Sequence, residues 1–200
     1  VEERLLFTLR STLWDLEYWK DLDLRHNLDV MHIEKNICDS IIGTLLNIEG
    51  KTKDTLKSRI DLTHLGIRQD LQVQDEGKPR DMAPAVYVLD KVKRKEFCEV
   101  LSRVRFPHGF ASNPERRVSA DGDKVQGLET HDCHVLLQRV LPVILRGLGR
   151  PDLYRAVAEL GQFFRELCSR NNRIDALECL RDKIPTILCD LEKIYPPTFF

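Results

Sequence analysis

Apolar residues recur at helical spacing through the last third of this chain, and this periodicity limits the fold more than any other feature. In the segment 174–194 they follow one another at steps of 3, 3, 4, 3, 4 and 3 residues. Such steps place side chains on one face of an α-helix. The residues of this stripe are Ile174, Leu177, Leu180, Ile184, Ile187, Leu191 and Ile194.

Two further helices are predicted just before it, over 131–148 and 151–171. The second carries its own stripe, in which Leu153, Val157, Leu160, Phe164 and Leu167 alternate steps of four and three. Pro142 should kink the first, because proline has no N–H to donate. Short connections join the three segments, so we expect them to pack as an antiparallel bundle.

The rest of the chain also favours helices, and the predicted fold class is mainly α. Helices are predicted over 28–48, 52–64 and 91–104, with a surface connection over 69–84 and a long loop over 106–129. One short strand is predicted near 86–89. In the helix over 91–104 the residues expected to face the core are Val92, Phe97, Val100, Leu101 and Val104.

Composition excludes several classes of protein. The chain is 42% hydrophobic and 32% charged with a net charge of −1, whereas an autonomous DNA-binding domain usually carries a basic excess. No apolar run approaches the roughly 20 residues of a membrane span, and no leader peptide is evident. The six cysteines are dispersed, five in apolar helical contexts, which predicts reduced core thiols in an intracellular protein.

The segment 24–46 has a polar first half and an apolar second half. On a helix, Asp29, His32 and Asn36 share one face. Burying so many polar groups is costly unless they are hydrogen-bonded. The polar half is therefore either a functional surface or a satisfied polar network.

A second polar block, 131–134, opens a predicted helix with the sequence His-Asp-Cys-His. His131 and His134 could supply half of a zinc site, with further ligands from His26, His32 or Cys38. The alternative is that Asp132 caps the helix while the histidines bond to neighbouring groups. We expect the second reading, in which His26, His131, Asp132 and His134 belong to a polar cluster in contact with 29–36. No bound metal is expected, because the ligand set is incomplete by spacing.

Six blocks, in this order, resemble the plant CACTA (En/Spm-type) transposases. They include the Asp-x-x-His run 29–36, the run 43–54 and the sequence HDCHVLLQR at 131–139; the others are 18–21, 106–113 and 188–194. Such transposases use an RNase H-like fold in which two Asp and a final Glu hold Mg²⁺ or Mn²⁺. The resemblance implies that Asp29, His32 and Asn36 support that active site without binding its metal.

The resemblance also implies a domain organisation. Residues 1–68 would form the C-terminal edge of the catalytic region, 69–130 a connection, and 131–200 the start of a helical domain of unassigned function. The two catalytic Asp would precede Val1 and the final Glu would follow Phe200, so the chain contains no catalytic residue and no cofactor of its own.

Two functions are thus predicted as alternatives. The first is a fragment of a transposon-encoded DNA transposase, whose full-length parent would bind transposon-end DNA in the nucleus. Alone, this fragment would bind DNA weakly or not at all and would not bind membranes. The alternative is a non-catalytic helical interaction module from a degenerate or domesticated transposon. Self-association is compatible with either.

Overall fold

Helices form nearly all the regular structure in the computed structural model, which describes residues 12–22, 28–73, 82–196 and 199. The α-helices are α1 (Val30–Leu45), α2 (Leu56–Leu65), α3 (Lys91–Arg103), α4 (Thr130–Val135), α5 (Leu141–Gly147), α6 (Pro151–Leu167) and α7 (Ile174–Ile194). A π-helical turn, Leu136–Val140, joins α4 to α5, and short 3-10 helices span Thr12–Asp15, Trp19–Asp21, Gln69–Leu71 and Pro114–Arg117. The described ranges contain one isolated bridge, Val118 to Val125, and no strand, which confirms the mainly α prediction.

Polar caps determine where the early helices begin. The Asp29 carboxylate accepts the backbone N–H of His32 at 3.1 Å and starts α1. Thr55 caps α2 through the N–H of Ser58, and Asp90 caps α3 through that of Lys93. Each cap satisfies a backbone donor that the first helical turn leaves without an intrahelical partner.

The strand predicted near 86–89 is wrong. This segment is a turn, in which the N–H of Val88 donates to the carbonyl of Ala85 at 3.1 Å. The N–H of Leu89 donates to the carbonyl of Leu45 at 2.9 Å and ties the turn to the end of α1. The segment is apolar because Tyr87 and Leu89 are buried in the core, and not because it pairs with another strand.

The inward face of α3 is narrower than predicted. Phe97, Cys98 and Leu101 are fully buried, but Val92 is 77% exposed and Val100 is also exposed. Positions 97 and 101 lie one turn apart, with 98 beside them, so this face excludes 92 and 100.

The C-terminal helices pack in antiparallel order, as the short connections between them predict. The guanidinium of Arg146, near the end of α5, lies 5.9 Å from the ring of Tyr154, near the start of α6. Burial raises the pKa of Tyr195, and the charges of Arg150 and Asp152 also act on it, which places the end of α7 beside the start of α6. The first turns of α7 do not pack against the other helices through the apolar stripe, because Ile174 is 78% exposed and Leu177 is exposed as well.

Pro142 does not break the helix that contains it. Its missing N–H deprives the carbonyl of Gln138 of an α-helical partner, and the wider π-helical turn Leu136–Val140 lies just before it. Gly161 of α6 faces this turn. A Cβ atom at position 161 would lie 2.6 Å from the carbonyl oxygen of Leu137, so the two backbones meet closely there.

One hydrophobic core includes residues from all three predicted regions, from Cys38 on α1 to Phe199. Among the described residues, none of the helices combines the length and apolar character of a membrane span. The prediction of core thiols is correct for Cys38, Cys98 and Cys133 only. Cys168, Cys179 and Cys189 are exposed, and all six cysteines are free.

Candidate functional site: a buried carboxylate between three helices

A glutamate lies on the apolar face of α1. Glu34 precedes Cys38, Ile41 and Leu45 at steps of 4, 3 and 4, and like them it is 0% exposed. A buried carboxylate is strongly unfavourable unless hydrogen bonds or a cation compensate for lost hydration. Its partners therefore define the first candidate site.

Two side chains one turn apart satisfy this carboxylate. Nδ1 of His134, on α4, lies 2.6 Å from Oε2 of Glu34, and the amide of Gln138 donates to Oε1 at 3.0 Å. Nδ1 of His134 and Nε2 of Gln138 are themselves 3.1 Å apart. An ionised carboxylate only accepts, so Nδ1 of His134 carries the proton in its bond to Oε2 of Glu34. Nδ1 and the Gln138 amide nitrogen are then both donors, and their contact is not a hydrogen bond.

The third neighbour is Cys168, the C-cap residue that directly follows α6. One donor atom from each of Glu34, His134 and Cys168 lies within 4.8 Å of the other two. Partial burial raises the pKa of the Cys168 thiol, and the negative charge of Glu34 raises it further. We call Glu34, His134, Gln138 and Cys168 the Glu34 cluster.

Two buried thiols extend the same contact between α1 and α4. Cys38 and Cys133 are fully buried, and their hydrogen bond is the largest cause of the raised pKa of Cys38, followed by burial. A thiol with a raised pKa is a poor nucleophile at neutral pH. This pair therefore acts as packing, and the polar chemistry of the interface belongs to the Glu34 cluster.

His131 bonds to a backbone carbonyl and not to a residue of 29–36. Its Nε2 donates to the carbonyl of Phe110 at 2.9 Å, and its ring stacks on His134 with centroids 6.0 Å apart. The guanidinium of Arg139 lies 5.7 Å from the Phe110 ring. His131 therefore attaches the loop before α4 to the edge of the Glu34 cluster.

Asp132 caps its helix, as predicted. Its Oδ2 accepts the backbone N–H of Glu129 at 3.1 Å. Arg117 pairs with Glu129 at 2.7 Å and with Asp132 at 3.4 Å. These bonds secure the start of α4 and hence the position of His134.

The Asp-x-x-His residues do not join this cluster. Asp29, His32 and Asn36 are exposed, and the bond between Asp29 and His32 is the backbone cap of α1. The expected contact between 29–36 and the 131–134 block is present, but it is made by Glu34, two positions after His32, and not by Asp29, His32 or Asn36. His26 lies outside the described residues.

Asp54 and Arg59 form a buried ion pair in a separate polar network. Arg59 is 1% exposed and donates through Nε and Nη2 to Asp54 at 2.6 and 2.9 Å. It also donates to the carbonyls of Leu71 and Ala83, each at 3.0 Å. The Tyr87 hydroxyl donates to Asp54 at 3.0 Å, and burial raises the pKa of that hydroxyl. This network joins α2 to the segments around 71 and 85, and Asp54 and Arg59 also line a surface pocket beside residues 82–85.

Comparison of the chain with protein-family models, with curated proteins and with solved structures finds no match.

Proposed function

We propose that this chain is a non-catalytic segment of a CACTA-type DNA transposase. The proposal is supported by the six blocks of sequence resemblance. The observation that carries it is that two of those blocks, 29–36 and 131–139, meet through the Glu34 cluster although they are 100 residues apart. If the blocks come from one family, they are expected to form one structural unit and therefore to contact each other, as 29–36 and 131–139 do.

The buried carboxylates of the chain favour a supporting role over a catalytic one. Three are buried among the described residues, and each has a protein partner: Glu34 with His134, Asp54 with Arg59 and Asp132 with the start of α4. Two-metal strand cleavage needs carboxylates gathered around ions about 4 Å apart. In this proposal Mg²⁺ or Mn²⁺ binds to carboxylates outside these 200 residues.

The exposed face of α1 suits the supporting role that the resemblance assigns. Asp29, His32 and Asn36 are all accessible on α1 or at its start, so they can contact another part of the parent enzyme. Their function in this proposal is to position that part, and they would not bind its metal.

The distribution of charge favours weak or no DNA binding by the chain alone. In this proposal other parts of the parent transposase bind the transposon end, in the nucleus. The net charge is −1. Of the basic residues that could contact a phosphate backbone, Arg59 is buried against Asp54 and Arg117 is paired with Glu129. Neutralising several phosphates requires accessible cations.

We expect the isolated chain to neither cleave nor join DNA. The assay incubates it with labelled transposon-terminal DNA and Mg²⁺ or Mn²⁺, beside an Asp29→Ala variant. No product should form with either protein, because the carboxylate triad is missing. Specific cleavage that the variant abolishes would show that Asp29 is catalytic and would contradict the proposal.

A non-catalytic interaction module is the second candidate function. The observation that favours it is the exposed start of the apolar stripe on α7, where Ile174 and Leu177 lie in solvent. Such residues suit contact with a partner helix or with a second copy of the chain.

A further inference from the structure

We propose that Glu34, His134 and Cys168 form a zinc-binding site that joins α1, α4 and the end of α6. Of these three residues only His134 was a zinc candidate from the sequence, because Glu34 and Cys168 lie 100 and 34 positions away from it. The fold brings their donor atoms within 4.8 Å of one another. This inference does not depend on the transposase proposal.

The donor types select the metal. A carboxylate, an imidazole and a thiolate together match the ligands that proteins use for Zn²⁺, whereas Mg²⁺ and Ca²⁺ prefer oxygen ligands and avoid thiolate. The protein supplies three donors, and a water molecule is the expected fourth ligand. His134 is 23% exposed and Cys168 is exposed, so solvent and metal reach the site from that side.

The geometry needs only small side-chain movements. Zinc bonds oxygen and nitrogen at about 2.0–2.2 Å and sulfur at about 2.3 Å, so donors around one ion lie about 3.3–3.7 Å apart. The Glu34–His134 separation of 2.6 Å must open by less than about 1 Å. Cys168 ends its helix and is exposed, so its side chain can rotate towards the ion.

Gln138 orients the carboxylate in this arrangement. Its amide donates to Oε1 of Glu34 at 3.0 Å and leaves Oε2, on the His134 side, for the metal. Metal-binding carboxylates are usually held by such hydrogen bonds. On binding, the Cys168 thiol loses its proton to solvent, and His134 binds through Nδ1 as a neutral imidazole that carries its proton on Nε2. The thiolate and Nδ1 each donate an electron pair to Zn²⁺; no oxidant or reductant takes part.

The experiment compares zinc binding by the metal-free chain and by two variants. Cys168→Ser removes the proposed ligand, and Cys179→Ser removes another exposed thiol, on α7, as the matched control. We expect one Zn²⁺ per chain for wild type and Cys179→Ser. Cys168→Ser should weaken binding at least about 100-fold, since even loss of an outer hydrogen bond to a metal ligand costs 10–100-fold.

Thermal unfolding and cobalt spectra provide independent readouts. Zinc at about a hundredfold above its Kd should raise the Tm of wild type by about 5–10 °C, and Mg²⁺ should not. Co²⁺ should give a thiolate-to-metal charge-transfer band that is absent in Cys168→Ser and present in Cys179→Ser.

Two results would overturn the site. The first is failure of the wild-type chain to bind zinc stoichiometrically, which would leave a hydrogen-bonded cluster only. The second is equal zinc affinity, or an equal cobalt band, in wild type and Cys168→Ser. Because Cys168 is exposed, its serine variant should fold, and its Tm without metal checks this.

Discussion

Arg59→Met should destabilise the chain by about 3–5 kcal/mol, the largest effect that we expect from a single substitution. Methionine retains much of the side-chain volume but removes all the donors. The Asp54 carboxylate then stays buried with the Tyr87 hydroxyl as its remaining donor, and the carbonyls of Leu71 and Ala83 lose their partner. Urea unfolding with an unchanged m-value measures this loss.

Lys57→Met is the matched control. Lys57 lies on the same helix, two positions away, and is exposed. Its substitution should change the free energy of unfolding by less than about 0.5 kcal/mol. A loss below about 1 kcal/mol for Arg59→Met would contradict the buried network.

Gly161→Ala should destabilise the chain by about 1–3 kcal/mol, although helix propensity alone predicts the opposite sign. Alanine within an α-helix is normally better than glycine by about 1 kcal/mol. Here its Cβ would lie 2.6 Å from the Leu137 carbonyl oxygen, a backbone atom that cannot move without shifting the π-helical turn. The contact between α6 and that turn would have to open.

Gly147→Ala separates the two causes. Gly147 is the last residue of α5. A Cβ atom at this position would have no other atom within 4 Å. We expect a change between zero and about 1 kcal/mol in favour of the folded state. If Gly161→Ala were as stabilising as Gly147→Ala, the close approach of α6 to the Leu136–Val140 turn would be wrong.

Periodicity predicted the helices well because most of them pack on one side only. The steps of three and four in 151–171 and 174–194 follow directly from an apolar face, and the helices lie where the pattern indicates. The same argument failed at Val92, Val100 and Ile174, because an apolar residue reports burial only when another element covers it. The segment 86–89 failed for a related reason, since burial of Tyr87 and Leu89 looks the same in a turn as in a strand.

The candidate site was predictable in part. The contact between the 29–36 and 131–134 segments was expected, but Glu34 was missed as its centre. A signal was present, because a glutamate in step with Cys38, Ile41 and Leu45 must be buried with them. No spacing pattern in the sequence identifies Cys168 as a neighbour of Glu34. Only the antiparallel packing of α6 brings its end to His134, and spacing along the chain contains no information on that.

The coding sequence that flanks these 200 residues tests the transposase proposal most directly. Sequencing the full transcript should reveal one open reading frame with two acidic Asp positions upstream of Val1 and a Glu downstream of Phe200, in the order that a metal-binding triad requires. A reading frame without those carboxylates, or one that stops shortly after Phe200, would contradict the proposal that the chain belongs to a DNA-cutting enzyme and would favour the non-catalytic module.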